Sequence, residues 1–315
     1  MDLRSWVEGL ASRPEMRRKR AIGPVLRVLD RRGAGRLLGL GDDCGYLEEG
    51  GGYLLLTVDS MREGLLSRPR FAGFCAVNVS ANDIYATGGC PLGVVDVMHV
   101  PEGDDAWALE AARGLREGCE FFGLEMLGGH LDAGASRRGL SVAALGRAGR
   151  VIPGFGAGPG DAVLLAFDPV GRWEGEALIW DSSSGRDPQR VLENYAVLPE
   201  IAENGLATSC RDVSNAGISG TLAMLAAACG VGAALDLDRV PRPEGVGLWE
   251  WLAAYPSYGF ILTAPPRRAE GLEELFRLQG LAAGVCGEIR EGPRLAFSLG
   301  GEEASVTNPL AEGGA

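Results

Sequence analysis

Between Leu54 and Val58 the chain carries an unbroken run of apolar and β-branched residues behind the turn-forming Gly50-Gly51-Gly52, a pattern that predicts a buried strand. Phe71 to Thr87 reads as a helix, and Val94 to Val100 and Leu140 to Leu145 read as further strands. From Asp105 to Phe122, the residues Ala108, Ala112, Leu115, Cys119 and Phe122 recur at helical spacing, so that segment predicts a helix with one face packed on a sheet. The pattern stops at Ile152-Pro153-Gly154-Phe155-Gly156-Ala157-Gly158-Pro159-Gly160, where so much Gly and Pro cannot sustain a helix or strand interior. A strand at Ala162 to Phe167 restarts it, followed by helices near Val191 to Glu203 and Ser219 to Cys229. Then come a strand at Gly259 to Thr263, a helix near Glu270 to Leu278 and a strand near Val285 to Glu288. Both halves mix strands and helices without the regular alternation of a doubly wound sheet, which predicts two α+β domains, 1–155 and 156–315.

Composition adds exclusions. Thirty basic residues against forty-two acidic ones leave a net charge of −12, and the acids are dispersed, so nucleic acid and anionic membranes are poor partners. The most apolar stretch, Thr221 to Leu235, is interrupted by Gly230 and Gly232 and runs into Asp236, too short to span a bilayer. The first residues show no secretory pattern, and a cytoplasmic location is expected. The seven cysteines form no C-x-x-C pair and read as reduced packing residues. Of two histidines, His99 sits in a strand-like run and reads as structural, so a two-histidine zinc site is not supported.

Candidate chemistry lies in the acids. Asp42 and Asp43 adjoin on a Gly-Asp-Asp turn, either a simple turn or a pair able to reach a hard cation. Asp59 ends an apolar strand, where a carboxylate near a core needs a partner or a metal. Asn78 and Asn82 share a helix face beside Asp83, and either satisfy one another or line a ligand site. Gly128-Gly129-His130 reads as a turn whose backbone amides could approach phosphate oxygens. Asp212 stands before a helix start that Ser214 or Asn215 could cap. Twenty-nine of the thirty basic residues are arginine. The single lysine, Lys19, is either part of a solvated basic turn or a mobile point charge suited to following a phosphate.

The order of these motifs carries a resemblance over nearly the whole chain. Gly-Asp-Asp at 41–43, Thr-x-Asp ending at Asp59, Asn-Asp-Ile-Tyr-Ala-x-Gly-Gly-x-Pro from Asn82, Gly-Gly-His from Gly128 and Asp-Val-Ser-Asn from Asp212 are similar to the aminoimidazole ribonucleotide (AIR) synthetase superfamily. That superfamily includes thiamine-monophosphate kinase, selenophosphate synthetase and the hydrogenase maturation dehydratase. Arg-Lys-Arg-Ala-Ile near the N-terminus, Trp180-Asp181-Ser182-Ser183 and Tyr255 to Phe260 resemble the AIR synthetase-related branch grouped with methanogenesis marker protein 2.

The resemblance implies a two-domain α+β fold, with N-terminal domains that pair into a dimer β-barrel and a C-terminal α/β sandwich. It also implies ATP and Mg2+ in a cleft, and a homodimer acting on a small-molecule substrate. Carried over by motif, Asp42, Asp43, Asp59, Asp83 and Asp212 would gather the metal ions. Asn82, Gly128, Gly129 and His130 would lie near the nucleotide, and Lys19 and Asp43 would take catalytic roles, with Lys19 closing over the phosphates. The chain lacks the reactive N-terminal cysteine of selenophosphate synthetases and the terminal cysteine of the dehydratase, which disfavours both activities. His130 and Asn215 stand where thiamine-monophosphate kinases carry acids, so that metal arrangement is only partly reproduced. The expected function is Mg-ATP-dependent phosphotransfer to, or phosphate activation of, a small molecule. The alternatives are a thiamine-monophosphate kinase-like activity and a non-catalytic ATP-binding regulatory protein.

Overall fold

After the short helices α1 (Leu3–Gly9), α2 (Pro14–Arg20) and α3 (Ile22–Leu29), the first half forms a five-stranded sheet from β1 (Gly45–Glu49), β2 (Gly52–Ser60), β3 (Cys90–Val100), β4 (Glu125–Ala133) and β5 (Gly139–Ala148). Helices α4 (Glu63–Leu66), α5 (Pro69–Ala86) and α6 (Asp105–Phe122) fall between these strands. The structure is a computed structural model that describes residues 2–30, 39–175 and 178–311. Strand order is β1-β2-β5-β3-β4, antiparallel except for the parallel pair β3 and β4, whose crossover α6 supplies.

Only one face of this sheet is covered. Leu55 and Thr57 on β2 are buried, whereas Leu56 and Val58 are 61% and 68% exposed on the other side. The run expected to be a buried strand is therefore half-buried, because α5 packs on one face and no described element covers the other. The segment expected to turn at Gly128-Gly129 is instead the interior of the edge strand β4. Gly129 leaves room there for the Asp96 carboxylate on β3, which a Cβ 2.1 Å away would displace.

Helix α5 is the central beam, with thirteen of its eighteen residues buried on all sides, as befits a helix enclosed by a core. It crosses α6 at close range through small residues. A Cβ on Gly114 would sit 1.9 Å from the Arg70 carbonyl oxygen, and one on Gly73 would sit 2.3 Å from the Ala111 carbonyl oxygen.

The second half contains β6 (Ala162–Phe167), β7 (Arg172–Trp173), β8 (Ile179–Asp181), α7 (Pro188–Tyr195), α8 (Val197–Glu203), β9 (Ser209–Asp212), α9 (Gly217–Cys229), β10 (Gly232–Asp236), α10 (Leu248–Ala253), β11 (Tyr255–Pro256), β12 (Gly259–Ala264), α11 (Pro266–Leu278), β13 (Ala282–Arg290), β14 (Arg294–Leu299) and β15 (Glu302–Thr307). Seven strands form the main sheet, ordered β15-β14-β10-β13-β6-β12-β9, and β11-β8-β7 form a small one. The single helix expected from Val191 to Glu203 is two, because Pro199 has no N–H to donate and its ring clashes with a carbonyl in the preceding turn. Gly230, at φ +71°, ends α9 and divides the apolar stretch into a helix and the strand β10.

Alternate residues of β6 feed two cores. Ala162, Leu164 and Ala166 join α8, α11 and the first domain, while Val163, Leu165 and Phe167 join α9 and α10. The second core also holds Leu3, Trp6, Val7, Leu10 and Met16. The expected division at 155 assigns these residues to the first domain, but their packing ties them to the second. Among the described residues, no helix is long and apolar enough to cross a membrane.

Candidate active site

Four segments converge on one cleft. The turn after Gly41 brings Asp43, the end of β2 brings Asp59, α5 brings Asp83, and β9 ends in Arg211 and Asp212. Carboxylate oxygens of Asp43, Asp83 and Asp212 all lie within 4.8 Å of one another. Asp59 and Lys19 line the same cleft of about 330 Å³, opposite an apolar wall that includes Ile22, Leu26 and Met224.

The carboxylates are held in place by donors. Arg211 donates from Nη1 to Asp43 Oδ1 at 3.0 Å and from Nη2 to the Gly41 carbonyl at 2.9 Å. The Asp212 amide donates to the other Asp43 oxygen at 3.1 Å, and Thr57 donates its hydroxyl proton to Asp83 Oδ2 at 2.6 Å. Burial, reinforced by the carboxylates of Asp212, Asp59 and Asp43, pushes the Asp83 pKa well above the ordinary carboxylate value. Asp212 is raised by burial and by Asp43 and Asp59, with Lys19 and Arg211 pulling the other way. Burial also raises Asp43 against the pull of Arg211, and raises Asp59 against that of Lys19. These four acids thus share the charges of Lys19 and Arg211. An oxygen donor set with excess negative charge is what a hard divalent cation such as Mg2+ takes.

Asp42 plays a different part from its neighbour. Its Oδ2 accepts the Gly154 amide proton at 2.7 Å and its Oδ1 accepts that of Asp43 at 2.9 Å, and burial pushes its pKa up to about 6. It ties the acidic turn to the interdomain linker instead of joining the three clustered carboxylates. A Cβ at Gly154 would lie 2.1 Å from Asp42 Oδ1 and would displace that carboxylate.

Asn82, expected beside the nucleotide, is 2% exposed and fully engaged. Its Nδ2 donates to the Ser257 carbonyl at 2.8 Å, and its Oδ1 accepts from Tyr195 and from Asn78 Nδ2. The two asparagines bind α5 to the second domain. Gly128, Gly129 and His130 lie outside the cleft. Asp59, Val142, Asp96 and Gly129 are aligned across the sheet, which puts Gly129 three strand spacings, about 14 Å, from Asp59. His99, read as structural, is on the exposed face, where its Nδ1 meets Asp132 Oδ2 at 2.9 Å. Lys19 Nζ reaches Ser214 Oγ at 3.5 Å. Sequence reasoning missed Arg211, Thr57 and Gly154. Arg211 leaves a trace in hindsight, as a charge at the end of a short strand leading into Asp212.

Residues 41–148 match the family model described as AIR synthase related protein, N-terminal domain, and residues 155–300 match its C-terminal domain counterpart. The chain belongs to the AIR synthase related family. Among its relatives in that family, the protein sll0787 of Synechocystis is 35% identical over 285 residues, 88% of either chain. The thiamine-monophosphate kinase of Halobacterium salinarum is 30% identical over 264 residues, 77% of this chain and 87% of the kinase. Among solved structures, PurL of T. maritima complexed with ADP aligns with a TM-score of 0.72 at 21% identity, covering 86% of this chain and 46% of PurL. AaThiL complexed with AMPPCP and TMP aligns at 0.67 and 20% identity, covering 90% of this chain and 95% of that one. At these identities the structural likenesses establish the two-domain α+β AIR synthase fold.

Proposed function

We propose that this AIR synthase related protein uses Mg2+ and ATP to phosphorylate a small molecule or to activate it through a phosphate. The observation that carries this reading is the set of three buried carboxylates, Asp43, Asp83 and Asp212, with donor atoms within 4.8 Å in a cleft that Lys19 also lines. Kinship with a thiamine-monophosphate kinase and a fold shared with nucleotide-bound PurL and AaThiL support it. Mg2+ held by these acids would neutralise phosphate charge. The chain's own groups would do the rest, Arg211 and Thr57 fixing the carboxylates and Lys19 offering a mobile ammonium to phosphate oxygens.

A homodimer is part of this reading. Leu56 and Val58, with Val95 at 41% exposure, form an apolar outer sheet face, and Leu127 and Leu131 on the edge strand β4 are each 59% exposed. Such a face and edge suit a second copy of the chain. The cytoplasm is the compartment we assign, on the reduced cysteines.

Titration calorimetry with ATP, in Mg2+ and again in EDTA, tests the proposal. Binding only with Mg2+, lost in Asp83→Asn, is the expected result. ATP binding that ignores both EDTA and the substitution would return the acids to a structural role.

A further inference from the structure

A second cavity, of about 720 Å³, opens beside the acidic cleft and is lined by Arg13, Arg62, Arg68, Glu174, Asn215 and Tyr255 among others. Three segments run from the cleft into it. On α2, Glu15 lines the cavity and Lys19, one helical turn on, lines the cleft. After β2, Asp59 lines the cleft and Arg62 the cavity, and after β9 the adjacent pair Ser214 and Asn215 divides in the same way. A molecule seated in the cavity would therefore border the clustered carboxylates.

The charges on its wall are unevenly matched. Glu174 is taken by Arg68 at 2.6 Å and by Arg172 at 3.1 Å, and Glu15 by Arg18 at 2.9 Å. Among the described residues, neither Arg13 nor Arg62 forms an ion pair, although Glu15 is near enough to Arg13 to favour its charge, and Glu63 is the acid on the wall left unpaired. Arg13 is partly withdrawn from water over the Trp6 ring, 4.5 Å from its centroid, and that burial disfavours its charge. Arg62 lies against the Tyr255 hydroxyl. The first turn of α9, behind Asn215 and Ala216, has no side-chain cap on its amides, which adds positive potential on the same side. Two guanidinium groups outside any ion pair, one of them partly desolvated, offer donors to an anion.

We propose that this cavity is the acceptor site and that the acceptor is a small molecule bearing a phosphate or carboxylate group, gripped by Arg62 and Arg13. The proposal rests on the phosphotransfer reading for the word acceptor, but the anion site can be tested apart from it. Inorganic phosphate and acetate are titrated calorimetrically into the full-length protein in EDTA, which keeps Mg2+ out of the acidic cleft. Saturable binding is expected, weakened about tenfold or more in Arg62→Gln and in Arg13→Gln, whose circular dichroism and melting curves check folding, and unchanged in Asp83→Asn. Preference for phosphate marks a phosphate-bearing acceptor and preference for acetate a carboxylate-bearing one, and either supports the site. Absence of binding by the wild type, or equal binding by both arginine variants, overturns it. Arg62-dependent phosphate binding in a protein that does not bind Mg-ATP would keep the anion site and remove the phosphotransfer reading. Mg-ATP binding without it would remove the anion site alone.

Discussion

Replacing Asp83 by Asn removes one charge from the carboxylate cluster while leaving an oxygen to accept from Thr57. Two ionised carboxylates at the 4.8 Å outer limit of the cluster repel by about 3.5 kcal/mol at an effective dielectric constant of about 20. Closer approach or the second clustered partner would add to this, while the metal-free wild type escapes part of it by retaining protons, so about 3.5 kcal/mol sets the scale of the gain. Acids raised in the folded state bind protons that the unfolded chain has already released. Wild-type stability without metal therefore falls as pH rises above the ordinary carboxylate value. For 315 residues, an unfolding entropy of about 2.1 cal/mol/K per residue converts 3.5 kcal/mol into about 5 °C. Asp83→Asn should thus melt about 5 °C above the wild type at pH 7.5 in EDTA, measured by scanning calorimetry. Mg2+ at about a hundred times its Kd should stabilise the wild type by about 2.7 kcal/mol, or about 4 °C, and the variant by much less. A variant that melts below the wild type in EDTA, or gains the same increment from Mg2+, would refute the reasoning.

Mg2+ affinity should strengthen from pH 5.5 to 7.5, because the cation displaces the protons that burial keeps on these acids, and calorimetry in buffers of different ionisation enthalpy would count them. Gly114→Leu should cost about 3 kcal/mol in urea unfolding, since the Arg70 carbonyl leaves no room for a side chain. Tyr195→Phe removes a buried donor to Asn82 and should cost about 1–2 kcal/mol in the same assay. Leu56→Asp should turn a dimer into a monomer in light scattering, with the circular dichroism spectrum unchanged.

Much of the fold was legible because long elements have one physical cause. The segments Asp105 to Phe122 and Ala162 to Phe167 became α6 and β6 with the expected limits, but the buried face of α6 runs through Trp107, Ala111, Gly114 and Gly118, leaves Ala112 exposed, and packs on α5 more than on the sheet. Short strands such as β1, β7 and β11 left no periodic trace, and β4 was hidden because its Gly-Gly pair, of which Gly129 lies against the Asp96 side chain on a neighbouring strand, reads as a turn. At the site, Asp59 and Asp83 were legible as charges on otherwise apolar segments, and Asp212 by its place before a helix start. What could not be read was which oxygens face the cleft. Asp42 and Asp43 are adjacent and chemically alike, and only the position of Gly154, more than a hundred residues later, turns one towards the linker.

The placement of the first sixteen residues has a practical consequence. Trp6 packs against Trp249 at 5.3 Å and edge-on against Phe297 at 5.2 Å, so a chain begun after the Gly- and Pro-rich linker would lack a wedge from its own interior. The halves are interlocked through a strap that starts in one, passes the acidic cleft at Lys19, and only then enters the other. Severing the linker should leave a nicked but assembled protein, whereas expressing residues 156–315 alone should yield an aggregating fragment that a peptide of residues 1–20 rescues.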